Sequence, residues 1–364
     1  MYKRRLIERE HAARYIFTLM ISFAATILIT RLFLELTGYP QIGNSKLHIA
    51  HVLWGGLIVA VGAALPLIFS NTFIFQLSSI LSGVGLGSFF DEVGKFLTQD
   101  NNYFFRPAAS IIYILFLIGV YVYITVRRGE PDDRTKLYHA LAAMQEIVDG
   151  DLDVREKADL EKLLGGIIGD AAVPDVRELA SELLDFVQRQ ADAVPERTTR
   201  LQRRLRDAGQ WLEAHLLTRA TTRWLLILSA LLLAALSLID AVSLITSAGQ
   251  PERVSQVVQG WIARSNLTSL QEALWYAAMI ALKVAVGLTL IGSLVLFGLK
   301  KDRQAITLAL AGLLLSITAL NVVLFYFEQF LAALYAVADF AVLAGLNFYN
   351  QRFLKTLPPA NQKT

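Results

Sequence analysis

Four ionisable residues fall into a pattern that suits metal chemistry. His48 and His51, in "KLHIAHVLWGG", are three apart. On a helix they share a face, with Cβ atoms roughly 5–6 Å apart. Asp91 and Glu92 follow later, in "GSFFDEVGKF". Imidazole and carboxylate together suit zinc, manganese or iron. A catalytic zinc takes three protein ligands and keeps a position open for water. His48, His51 and Asp91 would supply the three. Glu92 would be a fourth ligand or the general base acting on metal-bound water. Three plainer readings stand beside this one. The histidines are interfacial residues where a membrane helix begins, Asp91 and Lys95 form an i,i+4 ion pair, or the group handles protons or ions.

These residues must be positioned by membrane helices. The chain of 364 residues is 55% hydrophobic and 18% charged, with a mean hydropathy of +0.48. Soluble domains carry more charge and shorter apolar runs. Several runs approach or exceed the ~18–20 residues that cross a bilayer core. Eight spans are expected, at about 15–36, 47–69, 73–97, 107–126, 224–247, 270–298, 304–326 and 329–349. The first is read as an uncleaved span, because no small-residue cleavage site follows its apolar run. The third is interrupted near its end by charge, and Asp339 sits near the middle of the eighth.

Lysine and arginine set the expected orientation. Lys3, Arg4, Arg5, Arg9 and Arg14 precede span one; Arg127 and Arg128 follow span four. Lys300, Lys301 and Arg303 join spans six and seven, and Arg352 and Lys355 follow span eight. An even count puts all of them on the cytoplasmic side. The expectation is an all-α polytopic membrane protein of eight transmembrane helices (4 + 4), in the plasma (inner) membrane, with both termini cytoplasmic. Residues 1–127 form the first four-helix bundle, 128–222 a cytoplasmic helical domain and 223–364 the second bundle.

Spans two and three are joined by only a short "SNT" and should pack as an antiparallel hairpin. Span two begins outside and span three ends there, so His48, His51, Asp91 and Glu92 converge at one depth.

The insert is punctuated as helices. In "DGDLDVREKADLEKLL", Asp153 and Glu156 have capping-box spacing. Pro174 and Pro195 open further helices. The last of these is amphipathic, with Leu201, Leu205, Leu212 and Leu216 on one side and Arg197, Arg200, Arg203, Arg204 and Arg206 around the rest. It lies on the anionic inner leaflet or packs within its own domain. Near the second bundle, a short helix is expected around Trp261, and Ser269 with Glu272 reads as the cap of span six.

Other polar residues are candidates. Arg106 and Glu328, near outer ends of spans, are candidate substrate-binding residues; Arg106 would anchor a phosphate or carboxylate group, or suits a positioning role before Pro107. Lys283 and Asp339 sit near mid-bilayer, and Asp240 nearer the outside. They form either an intramembrane charge pair that holds the second bundle together or a proton or ion relay. Gly83, Gly85 and Gly87 suit close helix packing better than a phosphate loop.

The net charge of +3 is confined to a few clusters between apolar runs, and no nucleic-acid motif is visible. With no cysteine, disulfides, thiolate metal sites and a cysteine nucleophile are excluded. No nucleophile elbow, phosphate-binding loop or dinucleotide fingerprint occurs.

"HIAHVLWGG", then "GVGLGSFFDEVGKFLTQDNNYFFRPA" and later "FYFEQF", resembles a group of uncharacterised bacterial polytopic integral membrane proteins with a histidine-containing second span and an Asp-Glu third span. The likeness is strongest over residues 47–107 and implies no particular activity. More loosely, the chain is similar to intramembrane metal-dependent hydrolases of the ceramidase type, which combine histidines and an aspartate at one membrane face. It departs from them in having no histidine in spans five to eight.

The leading expectation is an outer-facing His/Asp/Glu site that binds a divalent metal, zinc foremost, and hydrolyses a lipid or lipid-linked substrate. Two others stand beside it: a transporter or channel using Asp240, Lys283 and Asp339, and a membrane scaffold whose residues 128–222 recruit a cytoplasmic partner.

Overall fold

The computed structural model describes residues 6–38, 43–44, 47–48, 51–99, 105–129, 131–150, 152–170, 173–190, 204, 207, 217–265 and 267–354. Those residues are overwhelmingly α-helical, and seven of their helices are long and apolar enough to cross a membrane. These are α1 (Ala12–Thr37), α3 (Thr72–Asp91), α5 (Arg106–Arg128), α9 (Arg219–Ser247), α11 (Leu270–Gly298), α12 (Asp302–Phe327) and α13 (Gln329–Leu354). The expected second span is helix α2 (His51–Ile68). At 18 residues it is about 27 Å long, just short of the ~30 Å hydrocarbon core. Ahead of it, Gly43–Asn44 pairs antiparallel with Leu47–His48, so residues 47 and 48 are extended rather than helical. The charge at the end of the third span breaks the helix: α3 stops at Asp91, Glu92 makes a turn, and a short α4 (Val93–Leu97) follows.

The chain forms two compact units. The first comprises Met1–Glu92 and Phe116–Arg206, the second Val93–Leu115 and Asp207–Thr364.

In the first unit, α3 packs along both α1 and α2. The glycines explain how closely. A Cβ on Gly85 would lie 2.7 Å from both the Gly55 carbonyl oxygen and the Val59 amide nitrogen of α2. One on Gly87 would lie 2.8 Å from Thr26 Cβ of α1. Within lipid, where apolar side chains gain little by leaving one another's company, such backbone approach is what draws helices together.

Three polar helices complete this unit: α6 (Asp133–Asp149), α7 (Val154–Asp170) and α8 (Pro174–Gln190). They enclose a core of Leu137, Ala140, Leu160, Leu164, Ile167, Ala180 and Val187. Their punctuation follows the sequence signals. Asp153 Oδ1 accepts from the Glu156 amide at 2.8 Å while Glu156 returns to the Asp153 amide at 2.9 Å, a reciprocal capping box. Pro174 is the first residue of α8. The Glu8 carbonyl lies 2.9 Å from His139 Nε2, which ties the segment before α1 to α6. The helix expected after Pro195, with its Leu201–Leu216 stripe and arginines, lies outside the described residues apart from positions 204 and 207.

In the second unit α9, α11, α12 and α13 share one apolar core. The short helix expected around Trp261 is α10 (Pro251–Ser265), and Trp261 packs on Tyr276 of α11. Ser269 caps α11 at the Glu272 amide, 3.2 Å away. The start of α5 joins through Tyr113, stacked on Phe325 at 4.7 Å between centroids. Midway along α12 the helix opens into a π turn, Ser316–Leu320, in which the Asn321 amide bonds the Ser316 carbonyl.

Candidate functional site

The first unit buries two adjacent carboxylates where α3 ends. Asp91 is 0% exposed and Glu92 1%. Arg31 of α1 donates from Nε to Asp91 Oδ1 at 2.8 Å. The Val52 amide, in the first turn of α2, donates to Glu92 Oε2 at 2.9 Å. The carboxylate therefore caps a neighbouring helix, serving one of its orphan amides and its positive dipole end. The register of the α2–α3 hairpin thus brings Glu92 to the start of α2, where His51 lies. The side chains of His48 and His51 lie outside the described residues. Among the described residues no three His, Asp or Glu side chains gather closely enough to hold a metal ion. Asp91 and Glu92 are each engaged already, Asp91 Oδ1 by a guanidinium and Glu92 Oε2 by a helix terminus.

Arg31 was absent from the expected constellation. Its signal is visible afterwards: it is the one basic residue within the apolar run of span one. An intramembrane cation demands an acidic partner, and Asp91 is that partner.

The second unit holds a charge pair and a separate carboxylate. Lys283 Nζ lies 2.9 Å from Asp240 Oδ2, and both residues are buried. The partner of Lys283 is therefore Asp240, not the expected Asp339. Asp339, 2% exposed near the middle of α13, is bound by neutral groups instead. Ser316 Oγ donates to its Oδ2 at 2.6 Å and Asn321 Nδ2 to the same atom at 2.9 Å. In an ordinary α-helix residues five apart are rotated about 140° from each other, at 3.6 residues per turn. The π turn bonds residue i to i+5 and so carries Ser316 and Asn321 to one side, facing Asp339. Tyr113 completes the group: its hydroxyl donates to the Ile317 carbonyl at 2.9 Å and lies 3.5 Å from Asn321 Nδ2. Asn321 is 0% exposed and its Oδ1 has no hydrogen-bond partner.

No family model, curated protein or solved structure matches the chain.

The remaining candidates, Arg106 and Glu328, lie at one end of this unit. Arg106 Nη1 lies 3.1 Å from Glu272 Oε1, and Glu272 also accepts from the Thr268 amide at 2.7 Å. Arg106 is thus engaged by the helix α11 terminus. Glu328 is the break between α12 and α13, with its amide bonded to Leu324 and its carbonyl to Ala332. At the opposite end, Asp302 receives Arg223 Nε at 3.2 Å and the Tyr349 hydroxyl at 2.8 Å. Arg223 also donates to the Phe297 carbonyl. Between the ends, Tyr335 lies one turn before Asp339 on α13 and within electrostatic range of Glu328, Asp240 and Asp339. Sequence reasoning missed Ser316, Asn321, Tyr113 and Tyr335. Ser316 and Asn321 were visible as polar positions inside span seven, but ordinary helical spacing assigns them to different faces.

Proposed function

We propose that the chain is a multi-pass plasma-membrane protein whose second bundle moves an ion, with Asp339 as the residue that takes it up. The observation that carries this reading is a carboxylate at mid-span, enclosed by apolar helices and bound by a hydroxyl and an amide rather than by a cation. Charge in such a place is costly and marks ion or proton paths in membrane bundles. Such a carboxylate is neutralised by what it binds. The π turn beside it supports the same reading, because single-turn π bulges recur at functional sites. Tyr335 and Glu328 lie on α13 and at its start, toward the end that carries Glu272. The ion pairs at the two ends, Arg106–Glu272 and Arg223–Asp302, suit barriers that open in turn.

In this reading the protein crosses the membrane eight times with both termini cytoplasmic. Helix α2 serves as the second crossing. Glu92 makes its short length tolerable by satisfying an amide in its first turn. The metal-dependent hydrolase built on His48, His51, Asp91 and Glu92 is less well supported, because Asp91 and Glu92 already serve as helix joints, Asp91 with Arg31 and Glu92 at the start of α2.

The test is ion flux in proteoliposomes holding the purified full chain. Asp339→Asn is expected to lower flux at least tenfold while the protein still elutes as a monodisperse species. Flux equal to the wild type, or wild-type flux no greater than in protein-free vesicles, would overturn the reading.

A further inference from the structure

We propose that the ion taken up by Asp339 is a proton, and that it binds at Oδ1. The inference rests on the reading of Asp339 as the ion-carrying residue and names the ion. It follows from the direction of each hydrogen bond around the carboxylate.

Both groups that touch Asp339 are donors. Ser316 presents a hydroxyl hydrogen and Asn321 an amide hydrogen, and both converge on Oδ2. A metal cation needs the reverse, several oxygen lone pairs directed inward at once. Here the amide hydrogens of Asn321 face the carboxylate, and its lone-pair oxygen is the atom left without a partner. Tyr113 spends its hydroxyl hydrogen on the Ile317 carbonyl. Two carbonyls of the π turn are engaged by other donors, the Ser316 carbonyl by the Asn321 amide and the Ile317 carbonyl by Tyr113.

Two donors on Oδ2 leave the other oxygen as the basic position. Among the described residues no hydrogen bond falls on Asp339 Oδ1. Uptake forms one O–H bond at Oδ1 from a proton delivered by water and converts the carboxylate to a neutral acid. Release breaks that bond and returns the proton to water. No other bond changes. Lys283 is engaged with Asp240, 2.9 Å away, and not with Asp339.

Infrared difference spectroscopy of the wild-type protein in lipid, titrated with acid and base, reads this directly. A carbonyl stretch of a protonated carboxyl group is expected, absent from Asp339→Asn and insensitive to a thousandfold change in sodium or potassium at fixed pH. Ser316→Ala, which keeps the carboxyl group but removes one donor from Oδ2, is expected to shift the frequency of the same band. That variant serves if Asp339→Asn fails to fold. A band removed by sodium or potassium, or no band assignable to Asp339 at any pH, overturns the proton assignment. Flux driven by a sodium gradient at constant pH also overturns it, while leaving the transport reading intact. A protonated Asp339 in a protein without flux does the opposite: it sinks transport and supports the proton.

Discussion

Asp91 in the first unit and Asp339 in the second are equally enclosed, yet one faces a guanidinium and the other a hydroxyl and an amide. Asp240 follows the first pattern, with Lys283 as its cation. A carboxylate matched to a fixed cation forms a closed pair whose net charge is zero without help. It suits a structural joint between helices, α1 with α3 in one unit and α9 with α11 in the other. A carboxylate matched to neutral donors is left to balance its charge by binding something. The difference separates joints from sites more sharply than burial does, and it predicts that the two classes respond differently to substitution.

The largest effect is expected at Lys283. Lys283→Met leaves Asp240 buried without its cation, and breaking one side of such a pair costs about 3–5 kcal/mol. Adding Asp240→Leu removes the stranded charge and is expected to restore most of the loss, because a buried pair and an apolar pair of similar volume are often close in stability. Denaturant titration of the detergent-solubilised protein checks this. A double variant no more stable than the single one would mean that Asp240 is held by something other than Lys283.

Asp91→Asn tests the other joint. It removes the carboxylate to which Arg31 Nε donates; the Arg31 side chain is 13% exposed and reaches some solvent, so the cost should fall lower, about 2–3 kcal/mol. Asp339→Asn strands no cation and should cost about 1 kcal/mol, the scale of one altered hydrogen bond. Equal losses at positions 91 and 339 would erase the distinction between joint and site.

How much of this was legible follows from what each feature depends on. The apolar runs exposed the spans because length and hydropathy are local. The capping box at Asp153 and the N-cap at Ser269 were legible for the same reason, since cap and partner lie within one turn. The α2–α3 register was legible because the joining turn is so short, and Glu92 does meet the start of α2. Partner choice was not. Arg31 and Asp91 are 60 positions apart and Lys283 and Asp240 43 apart, on helices whose rotation about their own axes no local signal sets. The pairing of Asp339 with Asn321 depended further on a π turn, which breaks the 3.6-residue rule used to assign faces.

Gly85 sharpens the contrast from the packing side. In the first unit helices are drawn together by small residues, so Gly85→Val drives a side chain into the α2 backbone and should cost about 1–3 kcal/mol. Gly56, with nothing within 4 Å of an added Cβ, should accept valine with little change. Similar losses at positions 56 and 85 would mean that α2 and α3 are not held at the observed separation.

The smallest effect belongs to pH, at the joint between the segment before α1 and the polar helices. Burial holds the His11 imidazole below its usual range, aided by Arg14 and His139 and opposed by Glu10 and Glu156. A base whose folded value is depressed binds fewer protons folded than unfolded. Stability linked to His11 is therefore fully present above about pH 6.5, the unfolded value, and is lost as pH falls through the depressed folded value. His11→Gln should flatten that part of the pH dependence and leave the alkaline side unchanged. Unfolding midpoints measured from pH 5 to 8 decide it. A slope that survives the substitution would rule out His11 as its source.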